Sequence, residues 1–472
     1  MSMRYLGGVI TANSVTPTGS YQDSAAPGVW TTAQQLQLKA AGLWPTAGNL
    51  AVTYWVNIIT GTATATYTGI NLDSAGNAVI CGKQENGTYD DVYVAKLDPF
   101  GDVLWSKQLE IGTTYGKSVG SVRAPAIDSS DNIYTCFSVS QSGSDYVNDW
   151  AVAKMATNGT LTSDIILGTA AEGYDRGYAI MWNGTNIITV GDYDNTNYVC
   201  MVGLNTSLGV TTNYQYTGNV MMPQSVSFDG SNYYMTAIKN GFYAFPAYVV
   251  KVSSGYALQW CSGLGNDSSG DPSSPSFTKA ISIGGDVYAC GYSSKIKSVA
   301  TNYVGLLWKA NSSGVSQWQR AVGDSAGMET IFLRDMAVTS DSKLIVTGVS
   351  KVTGGTDKIY VAKIDPTTPS MIWEREVSIG SACSGQSIKL DADGNIYISG
   401  TSGVVLKLPS DGSITGTFGS IVVTSVSRGI QTPTTLETTT TQSLSTATPS
   451  VDDRGGSFSV ATQTYSAALQ NL

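Results

Sequence analysis

A chain of 472 residues, 42% hydrophobic and only 13% charged, is long and apolar enough to bury a large core. Its net charge of -9 argues against a nucleic-acid partner, which needs a basic footprint, and the complete lack of histidine removes Ser-His-Asp and Cys-His catalysis and imidazole metal ligation. No apolar stretch of about 18 residues is present, and the first residues lack a signal-peptide core, so the expectation is a chain made in the cytoplasm without membrane insertion.

Residues 1–49 stand apart from everything that follows. Thr32-Ala33-Gln34-Gln35 has the spacing of a capping box and predicts a short helix through Ala41, ended by Gly42, with Pro45 preventing its resumption. Trp30 and Trp44 flank that helix. A segment this small cannot bury two indoles unaided, so both are candidates for docking onto another chain; the alternative is packing against the following domain.

Residues 50–419 carry a unit that recurs seven times. Gly82, Phe137, Gly191, Ala237, Gly291, Gly348 and Gly400 anchor the copies, at separations of 55, 54, 46, 54, 57 and 52 residues. A β-rich run leads to each anchor, as in Ala78 to Cys81 and Ile396 to Ser399, usually after a turn of the type Asp391-Ala392-Asp393-Gly394-Asn395. A third strand follows (Tyr93 to Leu97, Ala151 to Met155, Tyr360 to Ile364), then a Gly turn and a fourth strand that often holds Trp, as at Trp105, Trp260 and Trp318. Four short antiparallel strands per unit without helical periodicity describe a propeller blade, so the fold expected is all-β, a seven-bladed β-propeller of four-stranded blades. Tyr54 to Gly61 precedes the first unit yet resembles a fourth strand, and is expected to complete the seventh blade beside Val404 to Leu408.

Residues 420–472 form a Thr/Ser-rich C-terminal extension, partly β. Its poly-Thr run favours extended chain, and Gly456 to Tyr465 alternates like a strand that either pairs with another subunit or belongs to a flexible tail.

Several side-chain patterns invite chemistry. Asp391, Asp393 and Asn395 space oxygen ligands as a calcium loop does, but no bidentate Glu follows and the first unit has lost one ligand (Asp73, Ala75, Asn77), so turn chemistry is the reading preferred over calcium. Lys96, Lys154, Lys251, Lys309, Lys363 and Lys407 recur on the third strand, a ring that either grips an acidic glycan or lays its stems on apolar neighbours. Asp90, Asp91, Asp175, Asp192, Asp194 and Glu329 are expected in loops, with no spacing that selects a glycosidase pair. Cys81, Cys136 and Cys290 share one repeat position held elsewhere by small residues, which marks them as packing thiols; without any Cys-x-x-Cys pair, neither metal nor cofactor is expected. Loop tyrosines, among them Tyr89, Tyr146, Tyr193, Tyr243 and Tyr292, are candidate ligand contacts, because sugars stack on aromatic faces.

The unit exemplified by Ile388 to Gly400 resembles the bacterial and phage β-propeller repeat family. Gly7-Gly8-Val9-Ile10, Gly28-Val29-Trp30-Thr31, Gln34-Gln35 and Gly42-Leu43-Trp44-Pro45 resemble the start of structural, tail fibre-like proteins of tailed marine bacteriophages. The resemblance implies a non-enzymatic virion protein, attached through its N-terminal segment to other virion proteins, homo-oligomeric in the particle, and displaying a propeller to a host-surface glycan or protein. A decoration protein with a spacer role and a carbohydrate-active enzyme are the alternatives.

Overall fold

The computed structural model describes residues 54–471 apart from 61–64, 86–89, 112–114, 117–123, 142–147, 169–174, 193–197, 219, 240–245, 266–274, 295–302, 324–328, 353, 434–435, 448–451, 454–457 and 463–465. One compact unit spans Trp55–Gln470; the other, Met1–Tyr54 with Asn471–Leu472, falls almost wholly outside the described residues. The helix expected at Thr32 to Ala41, Trp30 and Trp44 all lie outside them.

The described chain forms seven antiparallel sheets, and their strand order makes each one a blade. Blade one runs Ala65–Leu72, Ala78–Glu85, Asp90–Leu97, Val103–Ile111. Blade seven takes three strands from the end of the repeat, Gly385–Leu390, Ile396–Gly400 and Val404–Leu408, and its fourth, Trp55–Thr60, from the beginning. Trp55 stands opposite Lys407 and Ile58 opposite Val404, so the expected closure is present.

Each sheet then gains a further strand from the C-terminal extension. Ile421–Ser425 pairs with the fourth strand of blade six, Ile430–Gln431 with that of blade five, Thr439–Thr441 with blade four, and Ser445–Ala447 with blade three. Asp452–Asp453 continues to blade two, Phe458–Thr462 to blade one and Ser466–Asn471 to blade seven. The segment is a belt that runs backwards around the whole ring. The strand expected near residues 456–465 therefore pairs neither with another subunit nor as a tail, but with its own blade one. The physical reason is that seven fourth strands would otherwise present unpaired N–H and C=O groups, and a sparsely charged Thr-rich chain is free to satisfy them.

The belt is fastened by side chains where it crosses between blades. Arg428 bonds the Glu376 carboxylate at 2.6 Å, Glu374 accepts the backbone N–H groups of Arg428 and Gly429, and Lys358 adds a second cation to Glu376 at 2.9 Å. At the next crossing Glu437 and Gln319 exchange two hydrogen bonds, 2.8 and 2.9 Å, while Ser293 donates to the Glu437 carboxylate.

The hydrophobic core lies between blades, not within one. Val79 and Val94 of blade one pack with Ile133 and Phe137 of blade two, and Tyr234 and Val249 of blade four with Trp308 and Leu306 of blade five. Second and third strands are accordingly apolar on both faces, as in the wholly buried Val404–Leu408.

Successive blades are also locked by a tryptophan and a glycine. Trp105 donates to the Thr157 carbonyl of the next blade at 3.1 Å, Trp260 to Ser312 at 2.9 Å and Trp55 to Pro99 at 3.1 Å. Each indole covers a turn glycine, Gly159, Gly314 or Gly101, whose positive φ and crowded Cβ position exclude a side chain. Where the Trp is replaced the turn changes reciprocally. Opposite Lys154 stands Ser163, and the facing turn carries buried Leu208 at φ 65°. Gly203 breaks the lysine series, and there Tyr256, at φ 65°, stacks on Tyr214 at 5.0 Å.

Candidate functional site

Antiparallel order puts the connections between first and second strands, and between third and fourth, on one face. That face consists of repeated Asx turns. Asp391 accepts from the backbone N–H groups of Asp393 and Asn395 at 3.0 and 2.8 Å and from the Asn395 amide at 2.8 Å; Asp73 and Asp128 repeat the pattern. Carboxylates saturated by N–H donors act as turn closures, which favours turn chemistry over the calcium alternative.

The third-strand lysines are absorbed in the same layer. Lys96 pairs with Asp73 at 2.6 Å, Lys309 with Asp286 at 2.7 Å, and Lys154, Lys251 and Lys407 donate to the carbonyls of Thr206, Ser312 and Pro99 in the following blade. Several also lie over a tyrosine ring, Lys407 over Tyr397 at 5.2 Å. Lys96, which also reaches Thr157, Lys154, Lys251 and Lys407 join blades, Lys309 stays within its own, and all five ammonium groups are already partnered.

The opposite, loop face holds the other connections. Tyr89, Tyr146, Tyr193 and Tyr243 lie outside the described residues, as does Asp194. Tyr292 is described, and it is not in a loop: the strand Asp286–Ser293 runs past the anchor glycine and includes it. Its ring meets Phe332 edge-on at 4.7 Å and Tyr303 at 5.7 Å, and Tyr303, 39% exposed, lies 5.3 Å from Phe332. The Arg334 guanidinium stands 5.6 Å over Phe332. This aromatic group belongs to blades five and six. Tyr303 and Phe332 were missed in the sequence, although both sit next to a predicted strand.

The described carboxylates expected in loops are in or beside strands, and internal partners hold Asp91 and Asp192. Asp91 is buried and accepts from Gln108; Asp192 is fully buried and grips Arg176 in a fork at 2.8 and 3.0 Å; Glu329 opens a strand of blade six. Burial raises the Asp192 carboxyl above the ordinary carboxylate range, and the Arg176 fork offsets only part of that rise.

All six cysteines are buried free thiols. Burial pushes Cys136 and Cys290 up to about 12, although Thr189 and Thr278 hydrogen bonds pull the other way. Such groups are packing residues and are poor nucleophiles.

The axis carries a second feature. First strands surround it, and in six blades the first strand slips register once: at Tyr67/Gly69, Gly177/Ala179, Met221/Ser225, Phe277/Lys279, Leu333/Asp335 and Gly385/Ser387. A bulge re-aims the strand, so two successive residues face the same side. Thr278 with Lys279, Arg334 with Asp335, and Gln386 with Ser387 thus line an axial cavity of about 60 Å³.

No known protein family and no curated protein matches the sequence. Among solved structures, the chain is similar to the WD40 β-propeller domain of Doa1, at 12% identity and TM-score 0.46 over 75% of this chain and 96% of that one. It is also similar to a putative 6-phosphogluconolactonase from Bacteroides fragilis, at 13% identity and TM-score 0.36 over 75% and 89%. The strand order itself defines a seven-bladed β-propeller, here with a circumferential fifth strand on each blade.

Proposed function

We propose that this chain is a non-catalytic bacteriophage virion protein of the tail apparatus, which joins other virion proteins through residues 1–49 and turns its loop face towards a host-surface glycan or protein. The observation that carries the binding part is the partly exposed trio Tyr292, Tyr303 and Phe332 at that face, a patch of aromatic surface on which a sugar ring or an apolar side chain stacks. A rigid ring presenting ligand contacts from variable connections is a recurrent binding arrangement. Weak sites on many copies per particle would gain avidity. The internal pairing of Asp91 and Asp192 supports binding over glycoside hydrolysis. The phage assignment rests on the sequence resemblance of the N-terminal segment and the repeat.

The test is a Tyr303→Ala, Phe332→Ala double variant of the full chain, applied with the parent protein to host cells and to purified surface polysaccharide. Retained fold with lost adsorption is expected; unchanged adsorption overturns the assigned patch, and shortening of the polysaccharide overturns the non-catalytic reading. Labelled microscopy of particles should find the chain on the tail, whereas a position on the capsid shell would make it a decoration protein. Removal of residues 1–45 should leave a soluble propeller that no longer joins particles.

A further inference from the structure

Lys279 and Arg334, in the first strands Ser276–Ile283 and Glu329–Val338 of blades five and six, line the axial cavity, and Lys389 of blade seven follows the lining Ser387 by two residues, on the same side of the strand Gly385–Leu390. One carboxylate, Asp335, accompanies them, and its oxygens are occupied. Oδ2 accepts from Ser387 Oγ at 2.8 Å and from the Ile388 N–H at 3.0 Å, and Oδ1 from the Met336 N–H at 2.9 Å. Arg334 Nε is buried without a hydrogen-bond partner among the described residues, although the guanidinium fork normally seeks a planar or tetrahedral anion. Lys279 reaches only the Val226 carbonyl, at 3.4 Å, and Lys389 has no hydrogen bond among the described residues. In a chain of net charge -9, three cations thus neighbour one carboxylate that already accepts three hydrogen bonds, and Arg334 has otherwise only the Phe332 ring beneath its guanidinium. Cations this poorly matched are costly to hold even half-buried unless something pairs with them.

We propose that the axial cavity binds a small tetrahedral oxyanion of the phosphate or sulfate class, held by Lys279, Arg334 and Lys389. A volume of about 60 Å³ exceeds what one water needs and suits a free oxyanion better than one carried on a bulky group. The position also accords with the ammonium of Lys389, which burial first and Lys279 second hold below the ordinary lysine range, against the pull of Asp335. An anion would reverse that pressure. It would fasten blades five, six and seven to one another at the axis, opposite in radius to the belt.

The experiment compares thermal midpoints of the full chain in gluconate buffer with added sodium sulfate or phosphate at matched ionic strength, with calorimetric titration of each. A saturable rise in midpoint is expected for the parent, following the mass-action form for a ligand of the native state. Arg334→Gln and Lys389→Met should lose it. In addition, Lys389→Met should melt higher than the parent without the anion, because it removes an unpaired charge; a merely structural lysine would do the reverse. No rise with either anion, an equal rise in both variants, or a lower anion-free midpoint for Lys389→Met overturns the site. Phenyl phosphate should bind far more weakly than inorganic phosphate, and equal binding would overturn the assignment of a free anion.

Discussion

Gly348 faces Phe332 across blade six so closely that a Cβ on the glycine would collide with the Phe332 carbonyl oxygen. The cause is the bulge at Arg334, which pushes the preceding backbone of the first strand against the second. Gly82, Gly191, Gly291 and Gly400 meet the carbonyls of Thr66, Arg176, Ser276 and Ser384 in the same way. Gly348→Ala should therefore destabilise by about 2 to 3 kcal/mol, as overpacking against backbone does. Ala237→Gly in blade four, where the bulge is wider, should cost less than about 1 kcal/mol. Chemical denaturation of both variants checks the contrast, and equal losses would disprove the bulge explanation.

Arg428→Met removes one partner of a buried ion pair, with Arg428 and Glu376 side chains only 7% and 5% exposed. The expected loss is roughly 3 kcal/mol. Glu376→Gln added to Arg428→Met should recover part of it, because no charged carboxylate is then buried there and only the part-exposed Lys358 is left without its partner. A double-mutant cycle in urea measures the coupling; additive losses would mean that Arg428 does not act through Glu376.

Acid should unfold the protein through its turns. Burial alone would raise Asp128, but Asn132, the Ser130 N–H and Tyr134 outweigh it and hold the carboxyl below the usual range; Asp73 and Glu376 are likewise depressed against burial, by Lys96 and Asn77 in one case and by Ser350, Lys358 and Arg428 in the other. A carboxylate whose folded pKa is lowered contributes stability above its unfolded pKa, about 4, and loses it as pH falls through the folded value. Without histidine, the melting midpoint should be flat from about pH 6 to 8 and drop steeply below about pH 4. Asp128→Asn should melt lower at pH 7 and show a shallower acid slope. Calorimetry across this range decides the matter.

The six thiols should be silent towards Ellman's reagent in the native protein at pH 8 and all react after unfolding in guanidinium, since every one is buried. Burial raises Cys81 and Cys261 as well as Cys136 and Cys290. Rapid native labelling of any cysteine would show that its blade opens.

Much of the ring was legible because its information is local. The strands of each blade are consecutive and the anchor glycine recurs, and even the exceptions are physical: Ala237 stands across from the wide slip at Met221/Ser225, and Phe137 belongs to the blade whose first strand is broken into Tyr115–Gly116 and Ala126–Ile127. The belt was not legible. Its strands are as short as Asp452–Asp453, too short to alternate, and their partners lie far away in sequence, as Thr462 does from Lys107. Tyr292 was misplaced because a glycine inside a strand reads as a turn, whereas here it marks a close backbone approach. The axial cations left one faint signal, a basic residue in each of three consecutive first strands, which carries no meaning until the bulges turn those positions inward.

The order in which the polypeptide is made gives the belt another significance. When residue 419 leaves the ribosome, every blade already has four strands in sequence, with blade seven borrowing Trp55–Thr60, which was made long before Val404–Leu408. The belt is then laid down blade by blade in reverse, from blade six back to blade one, before Ser466–Asn471 reaches the borrowed strand in blade seven. A nascent ring would remain adjustable while the belt is being made and tighten as Ser466–Asn471 settles beside Trp55–Thr60.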